Sequence, residues 1–215
     1  MQQHHTNILI SIAIAGLLFA LAQWIDYFSH NAVPILSVCT CITLAVHLLI
    51  GAPSIYYKTE KYYDMTGSIA VWAMILSAAS LKTPLSVRAI ALALMGCLWT
   101  SRLGVFLVVR IHQHHSDRRF DKIKQHPTDF LVAWSLSAAW TFITLLSALT
   151  AIISSQQSPL DHIDWIFIVA WLIAFGIEAI ADWQKLRFKK SPQATPFIQT
   201  GLWYYSRHPN YFGEI

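Results

Sequence analysis

The densest chemistry in the chain is the run Ser206-Arg207-His208-Pro209-Asn210-Tyr211-Phe212-Gly213-Glu214. A guanidinium, an imidazole, a side-chain amide and a stacking phenol sit side by side there. Pro209 stands where a helix would start, because its missing N–H costs nothing at the first helical position. A helix amino terminus beside Arg207 and His208 offers N–H groups and positive charge together, which is the chemistry of a phosphate site. A basic, aromatic segment lying at a membrane interface is the alternative reading.

Four further ionisable residues fall within or at the edges of strongly apolar stretches: Asp64, Arg102, Glu178 and Asp182. A charge at depth is costly in lipid, so it faces a protein interior and marks function by default. Glu178 and Asp182 are four apart and share one helix face. Snorkelling to the interface is the plainer explanation for Arg102 and Asp182. His47 stands alone in its span and reads as a helix–helix contact. The run His112-Gln113-His114-His115 has the residue types of a metal site, but no second ligand cluster accompanies it, so no metal is expected. Cys39, Cys41 and Cys97 lie in apolar spans as small hydrophobic residues, and Cys39 and Cys41 fall on different helix faces.

The elements that must position these groups follow from composition. Of 215 residues, 55% are hydrophobic and 12% charged, with a mean hydropathy of +0.47. A soluble domain carries about 25% charged residues. The apolar residues come in continuous blocks, which excludes disorder, a disulfide scaffold, a coiled coil, a cytosolic enzyme and a β-barrel. Six spans are predicted, at about Ile8–Tyr27, Val33–Tyr56, Met65–Leu81, Leu85–Val109, Phe130–Ile153 and Asp164–Ile180. The fold class is thus all-α, a polytopic transmembrane bundle of six spans plus the start of a seventh near Pro209. The first span is read as a retained helix, since Met1–Asn7 holds no Lys or Arg for a signal peptide. Twelve of the 15 Lys and Arg fall in segments 57–66, 110–128 and 183–210, each following an even-numbered span. These segments therefore share one side, which the charge bias makes cytoplasmic together with the amino terminus. The net charge of +4 is accounted for by loops facing anionic lipid, with no nucleic-acid partner. After the sixth span, 183–214 reads as a long segment that does not span, held extended by Ser191-Pro192 and Thr195-Pro196. One membrane domain is the economical organisation.

The run 206–214 resembles the signature of the steroid 5α-reductase-like membrane family, and about 55–215 resembles its bacterial branch. Tyr62-Tyr63-Asp64-Met65-Thr66-Gly67-Ser68 is similar to that branch's first motif. Arg102-Leu103-Gly104 with Arg110, then Asp117-Arg118-Arg119-Phe120-Asp121, resembles its middle segment, and Glu178-Ala179-Ile180-Ala181-Asp182 with Arg187-Phe188 its sixth-helix motif. The resemblance implies a multi-pass protein of a bacterial inner membrane. It implies an NADPH-dependent reductase of an activated C=C bond in a hydrophobic, lipid-like substrate. No Gly-x-Gly-x-x-Gly occurs, so the cofactor would be held by the polar residues instead. On this implication Arg102, Arg110, Arg118, Arg119, Arg187 and Arg207 bind phosphates. Glu178, Asp182, His208, Asn210, Tyr211 and Glu214 contact the remainder of the cofactor. Tyr62, Tyr63 and Asp64 are the candidates for polarising the substrate carbonyl.

The same resemblance expects a long hydrophobic helix after Glu214, so the chain reads as a truncated member of the family. Two other functions stay open: a membrane methyltransferase using S-adenosylmethionine, which shares an Arg-His-Pro-x-Tyr stretch, and a non-enzymatic truncated paralogue.

Overall fold

The computed structural model describes residues 2–29, 31–114, 117–155, 159–190 and 196–214. The side chains of 112–114, 118 and 214 are outside that description, which leaves the His112–His115 run, Arg118 and Glu214 without a structural account. Eight α-helices are described: α1 (Gln2–Ser29), α2 (Ile35–Tyr56), α3 (Tyr63–Leu81), α4 (Val87–His114), α5 (Pro127–Ile152), α6 (His162–Lys190), α7 (Leu202–Tyr205) and α8 (Pro209–Glu214). There is no strand among the described residues. Six helices, α1 to α6, are long and apolar enough to cross a membrane, so the chain is an all-helical, multi-pass membrane protein.

The largest boundary difference from the sequence reading is at the end of α6. α6 does not stop near Ile180 but continues to Lys190. Hydropathy falls after Ala181 because the residues become polar, yet Gln184, Lys185, Leu186 and Arg187 are good helix formers. The non-spanning segment is therefore shorter than expected. Ser191, Pro192 and Thr195 lie outside the described residues.

The helices group into two compact units, Met1–Pro159 and Leu160–Ile215. In the first, α5 is the central helix and packs against α1, α2, α3 and α4. Fully buried Ala22, Ala70, Ala78 and Ala138 let backbones approach closely, which is how helices associate without a hydrophobic driving force. The motif glycines act in the same way. A Cβ on Gly104 would stand 2.9 Å from Ser68 Oγ at the α3–α4 contact. The outer surface is apolar instead, with Leu17, Leu49 and Trp140 each more than 70% exposed, a surface suited to lipid.

Contacts at the two ends of this unit separate its loops as the charge pattern requires. At one end Glu60, after α2, meets Asp117 and Lys124, between α4 and α5, and Asn7 of α1 donates to Asp129 at the start of α5. The amino terminus and the two basic loops thus share an end. At the other end Lys82 Nζ donates to Asn31 Oδ1 (2.7 Å) and Ser155 Oγ (3.1 Å). There too, Asp26 of α1 accepts the N–H groups of Leu36 (3.0 Å) and Ser37 (2.8 Å) and the Ser37 hydroxyl (2.7 Å). It supplies the cap that Pro34 cannot, satisfying two of the orphan donors of α2.

In the second unit, α7 and α8 both pack on α6. α8 begins at Pro209, as its position in the sequence predicts.

Candidate functional site

In the first unit the candidate residues belong to a charge network at the basic end. α3 starts at Tyr63, so Tyr62 stands at its N-cap and Tyr63 and Asp64 lie in its first turn. Asp64 accepts from Arg110 of α4 at 2.8 Å, both side chains about one-third exposed. Tyr63 donates its hydroxyl to Ala133 O at 2.8 Å, and its ring packs between Phe120 and Trp134. Tyr62 is 50% exposed. Arg102 lies two turns before Arg110 on α4 and is half-buried.

Two residues that sequence reasoning did not single out organise this end. Glu60 is buried and accepts from Lys124 Nζ at 2.8 Å and from the Asp117 N–H at 3.0 Å. Burial works against its charge, but these donors prevail and hold the carboxyl below its ordinary range. The hydrogen bond to Glu60 conversely pushes Lys124 up. Arg119 turns its Nε onto both carboxylate oxygens of Asp117 (3.1 and 2.9 Å) and holds that group below its usual range. The space among Glu60, Tyr63, Asp64, Asp117 and Phe120 is only about 10 Å³, scarcely one water. This end is a filled, mutually neutralising cluster.

The second unit is built differently. Glu178 and Asp182 share a face of α6 as the spacing predicts, and both are buried. α8 presses onto that face through Gly213, where a Cβ would stand 2.5 Å from Ala174 O and 2.7 Å from Glu178 N. No larger residue fits there. Gly201 turns the chain with φ +63°, and an added Cβ would collide with the Gln184 amide. Gln184 Oε1 accepts the Leu202 N–H at 3.0 Å, and Trp203 Nε1 donates to Ala181 O at 3.0 Å. These contacts fix Trp203 against α6.

Beside it lies a cavity of about 580 Å³, lined by Lys185, Phe188, Lys189, Phe197, Trp203 and Arg207 among others. Lys185 Nζ stands 4.9 Å from the Trp203 ring centroid. Three cations and three aromatic rings line the space, and no Asp or Glu is among its described lining residues. Of the residues expected to bind phosphate, Arg207 is in this wall, whereas Arg187 lies over the Trp183 ring at 5.3 Å. His208 and Tyr211 rings are 5.5 Å apart and tilted. Asn210 Oδ1 is buried with no hydrogen-bond partner, a condition that invites a donor. Lys185 and Lys189, four apart, belong to the basic segment after the sixth span, and only the extension of α6 to Lys190 puts them on one helix face.

Among the described residues no three His, Cys, Asp or Glu side chains converge as a metal site. His47 makes the expected interhelical contact, its Nε2 lying 3.3 Å from Ser137 Oγ of α5. Cys39 is buried and Cys41 exposed, on different faces.

No curated protein and no solved structure matches the chain. The profile of one protein family, DUF1295, described as a protein of unknown function, matches residues 52–215. This stretch takes in the first-turn motif of α3, the Glu60 cluster and the whole second unit, and the chain belongs to that family.

Proposed function

We propose that the chain is an NADPH-dependent reductase of the steroid 5α-reductase-like kind, acting on an activated C=C bond in a hydrophobic, lipid-like substrate. It works in a bacterial inner membrane with its amino terminus and basic loops in the cytoplasm. The observation that carries this reading is the cavity walled by Lys185, Lys189, Arg207 and Trp203. Its size lies in the ordinary range of small-molecule sites, about 300–1,000 Å³. Its chemistry suits a phosphate-bearing aromatic ligand.

The donor set fits the cofactor. Lys185, Lys189 and Arg207 would hold phosphate groups, and the Trp203 and Phe197 faces would stack the adenine. The unsatisfied Asn210 Oδ1 would accept from a carboxamide N–H. When bound, NADPH supplies the hydride that goes to the β-carbon of the substrate. The chain must then supply an acid at the carbonyl oxygen. Of the first-turn candidates, Tyr63 already donates to Ala133 O and Asp64 is held by Arg110, while Tyr62 presents an exposed phenol. Tyr62, Tyr63 and Asp64 stay the candidates for that acid on the resemblance, and Tyr62 is the one whose side chain is half exposed.

Fluorescence of NADPH titrated with the purified protein tests the reading. Quenching or a blue shift is expected. Binding of S-adenosylmethionine with no NADPH signal would make the protein a methyltransferase instead, and no binding of either would leave the non-enzymatic reading. For orientation, a reporter fused after Leu160 should read periplasmic and one after Arg119 cytoplasmic, and the reverse result rejects the topology.

A further inference from the structure

The turn from α2 to α3 holds a residue that its backbone does not favour. Lys58 has φ +50°, and among the described residues no other non-glycine residue has a positive φ. Its N–H donates to Ile55 O at 3.3 Å, and the N–H of Thr59 donates to Ser54 O at 2.9 Å. These two bonds close the end of α2 in the arrangement whose left-handed position usually belongs to glycine. A side chain there crowds the backbone, a strain that glycine avoids. Lysine therefore stands where the fold alone favours glycine.

The surroundings of Lys58 give that strain a counterpart. Ile55 is the last aliphatic residue of α2. Tyr56 and Tyr57 follow it, 80% and 73% exposed, with their rings edge to face at 5.0 Å. Exposed tyrosines at the end of a spanning helix sit at headgroup level. Lys58 and Lys61 leave the helix at that level, and both are exposed. The nearby carboxylates are already engaged, Glu60 by Lys124, Asp64 by Arg110 and Asp117 by Arg119. Among the described residues, neither Lys58 nor Lys61 makes an ion pair. Buried Glu60, bound to Lys124 Nζ and the Asp117 N–H, fixes the far side of the turn. Two uncompensated cations and two phenol rings are thus held on a fixed frame at the edge of the bilayer.

We propose that this turn is a headgroup site for an anionic phospholipid of the leaflet at the basic end, with Lys58 and Lys61 as the cations that meet its phosphate. The lipid surface is the partner because the turn leaves α2 at headgroup depth, where lipid phosphates are the nearest negative charges. The general attraction of basic loops to a leaflet asks for no lysine in the left-handed region, whereas a fixed site does. The cavity of the second unit takes no part, and NADPH binding is indifferent to the occupation of this site.

The test uses the full chain in phosphatidylcholine nanodiscs doped with a photoreactive phosphatidylglycerol, or with a matched photoreactive phosphatidylcholine. Cross-links are mapped by mass spectrometry. The phosphatidylglycerol probe should label residues 56–62 in preference to the phosphatidylcholine probe. Lys58→Gly removes the charge and the strain together, so two measurements should move in opposite directions. The preference should fall about fivefold, the factor expected for one lysine beside an anionic surface. In pure phosphatidylcholine the same variant should melt about 2–4 °C higher than the parent. Lys58→Asn, neutral and tolerant of the left-handed region, should lose the preference as well, and Lys58→Arg should keep it. Equal labelling by the two probes in the unmodified protein would overturn the proposal. So would a Lys58→Gly variant that keeps the full preference, or that melts no higher than the parent in phosphatidylcholine. Suppression of the preference by inorganic phosphate, beyond that caused by chloride at equal ionic strength, would also overturn it, by assigning the turn to a free anion.

Discussion

The basic end of the first unit and the cavity of the second are made of similar residues in opposite states. Around Glu60, three cations face carboxylates: Lys124 on Glu60, Arg110 on Asp64, Arg119 on Asp117. The space left among them holds scarcely one water. Around Trp203, Lys185, Lys189 and Arg207 share a wall of about 580 Å³ in which no carboxylate is among the described lining residues. A cluster whose charges cancel in a filled space fixes helices, whereas cations and aromatic rings bordering an open cavity can receive an anionic, aromatic ligand. Richness in arginine therefore does not locate a binding site. What locates it is whether the cations border open space.

The comparison can be broken in four places. The largest effect is expected at Lys124→Met, which leaves the buried Glu60 carboxylate with the Asp117 N–H as its main donor. A loss of about 3 kcal/mol is expected in a thermal or denaturant melt, with NADPH affinity unchanged. A fall in affinity as large as the fall in stability would erase the distinction between the two regions. Next, Arg207→Ala should weaken NADPH binding about tenfold to thirtyfold, the worth of one charge-assisted contact, with the melting temperature unmoved. An unchanged dissociation constant would remove Arg207 from the site.

Acid should then act on the first region. Glu60 and Asp117 have folded-state values below their unfolded ones. Their stabilisation is complete above the unfolded carboxyl range, about pH 4. It is lost as the pH falls from there through the folded values. The melting temperature should be level from pH 7 to about 5 and decline below about 4, and Glu60→Gln should flatten part of the decline. A melting curve that already falls between pH 7 and 6 would point to other groups. The smallest effect belongs to Asp64→Asn. Its pair with Arg110 is about one-third exposed on each side, so it should cost under about 1 kcal/mol. Any sizeable loss of reductase turnover in that variant would then be chemical rather than structural.

The sequence made the spans legible because lipid imposes one strong rule, and six apolar blocks satisfy it. It made Pro209 legible as a helix start, and Asp64 as the opening of α3, from local chemistry alone. It did not reveal Glu60 with Lys124, because the partners are 64 residues apart and nothing local marks either one. Nor did it reveal Asp26 as the cap of α2, since a carboxylate at a span end reads as an ordinary interfacial residue. The cavity is not legible for a third reason. Hydropathy ends before the helix does, so the geometry that places Lys185 and Lys189 together is not visible in it. Arg207, by contrast, was found from its own neighbours.

The Asp26 cap bears on how the chain enters its membrane. With the amino terminus kept on the side of the basic loops, the corner between α1 and α2 is the part that has to be carried across. A bare carboxylate and an uncapped first turn would each resist that passage. Here each satisfies the other, because Leu36 and Ser37 present their N–H groups to the same side chain. The first two helices can thus insert together as a hairpin whose leading tip is already closed, ahead of the helices that α5 later gathers around it.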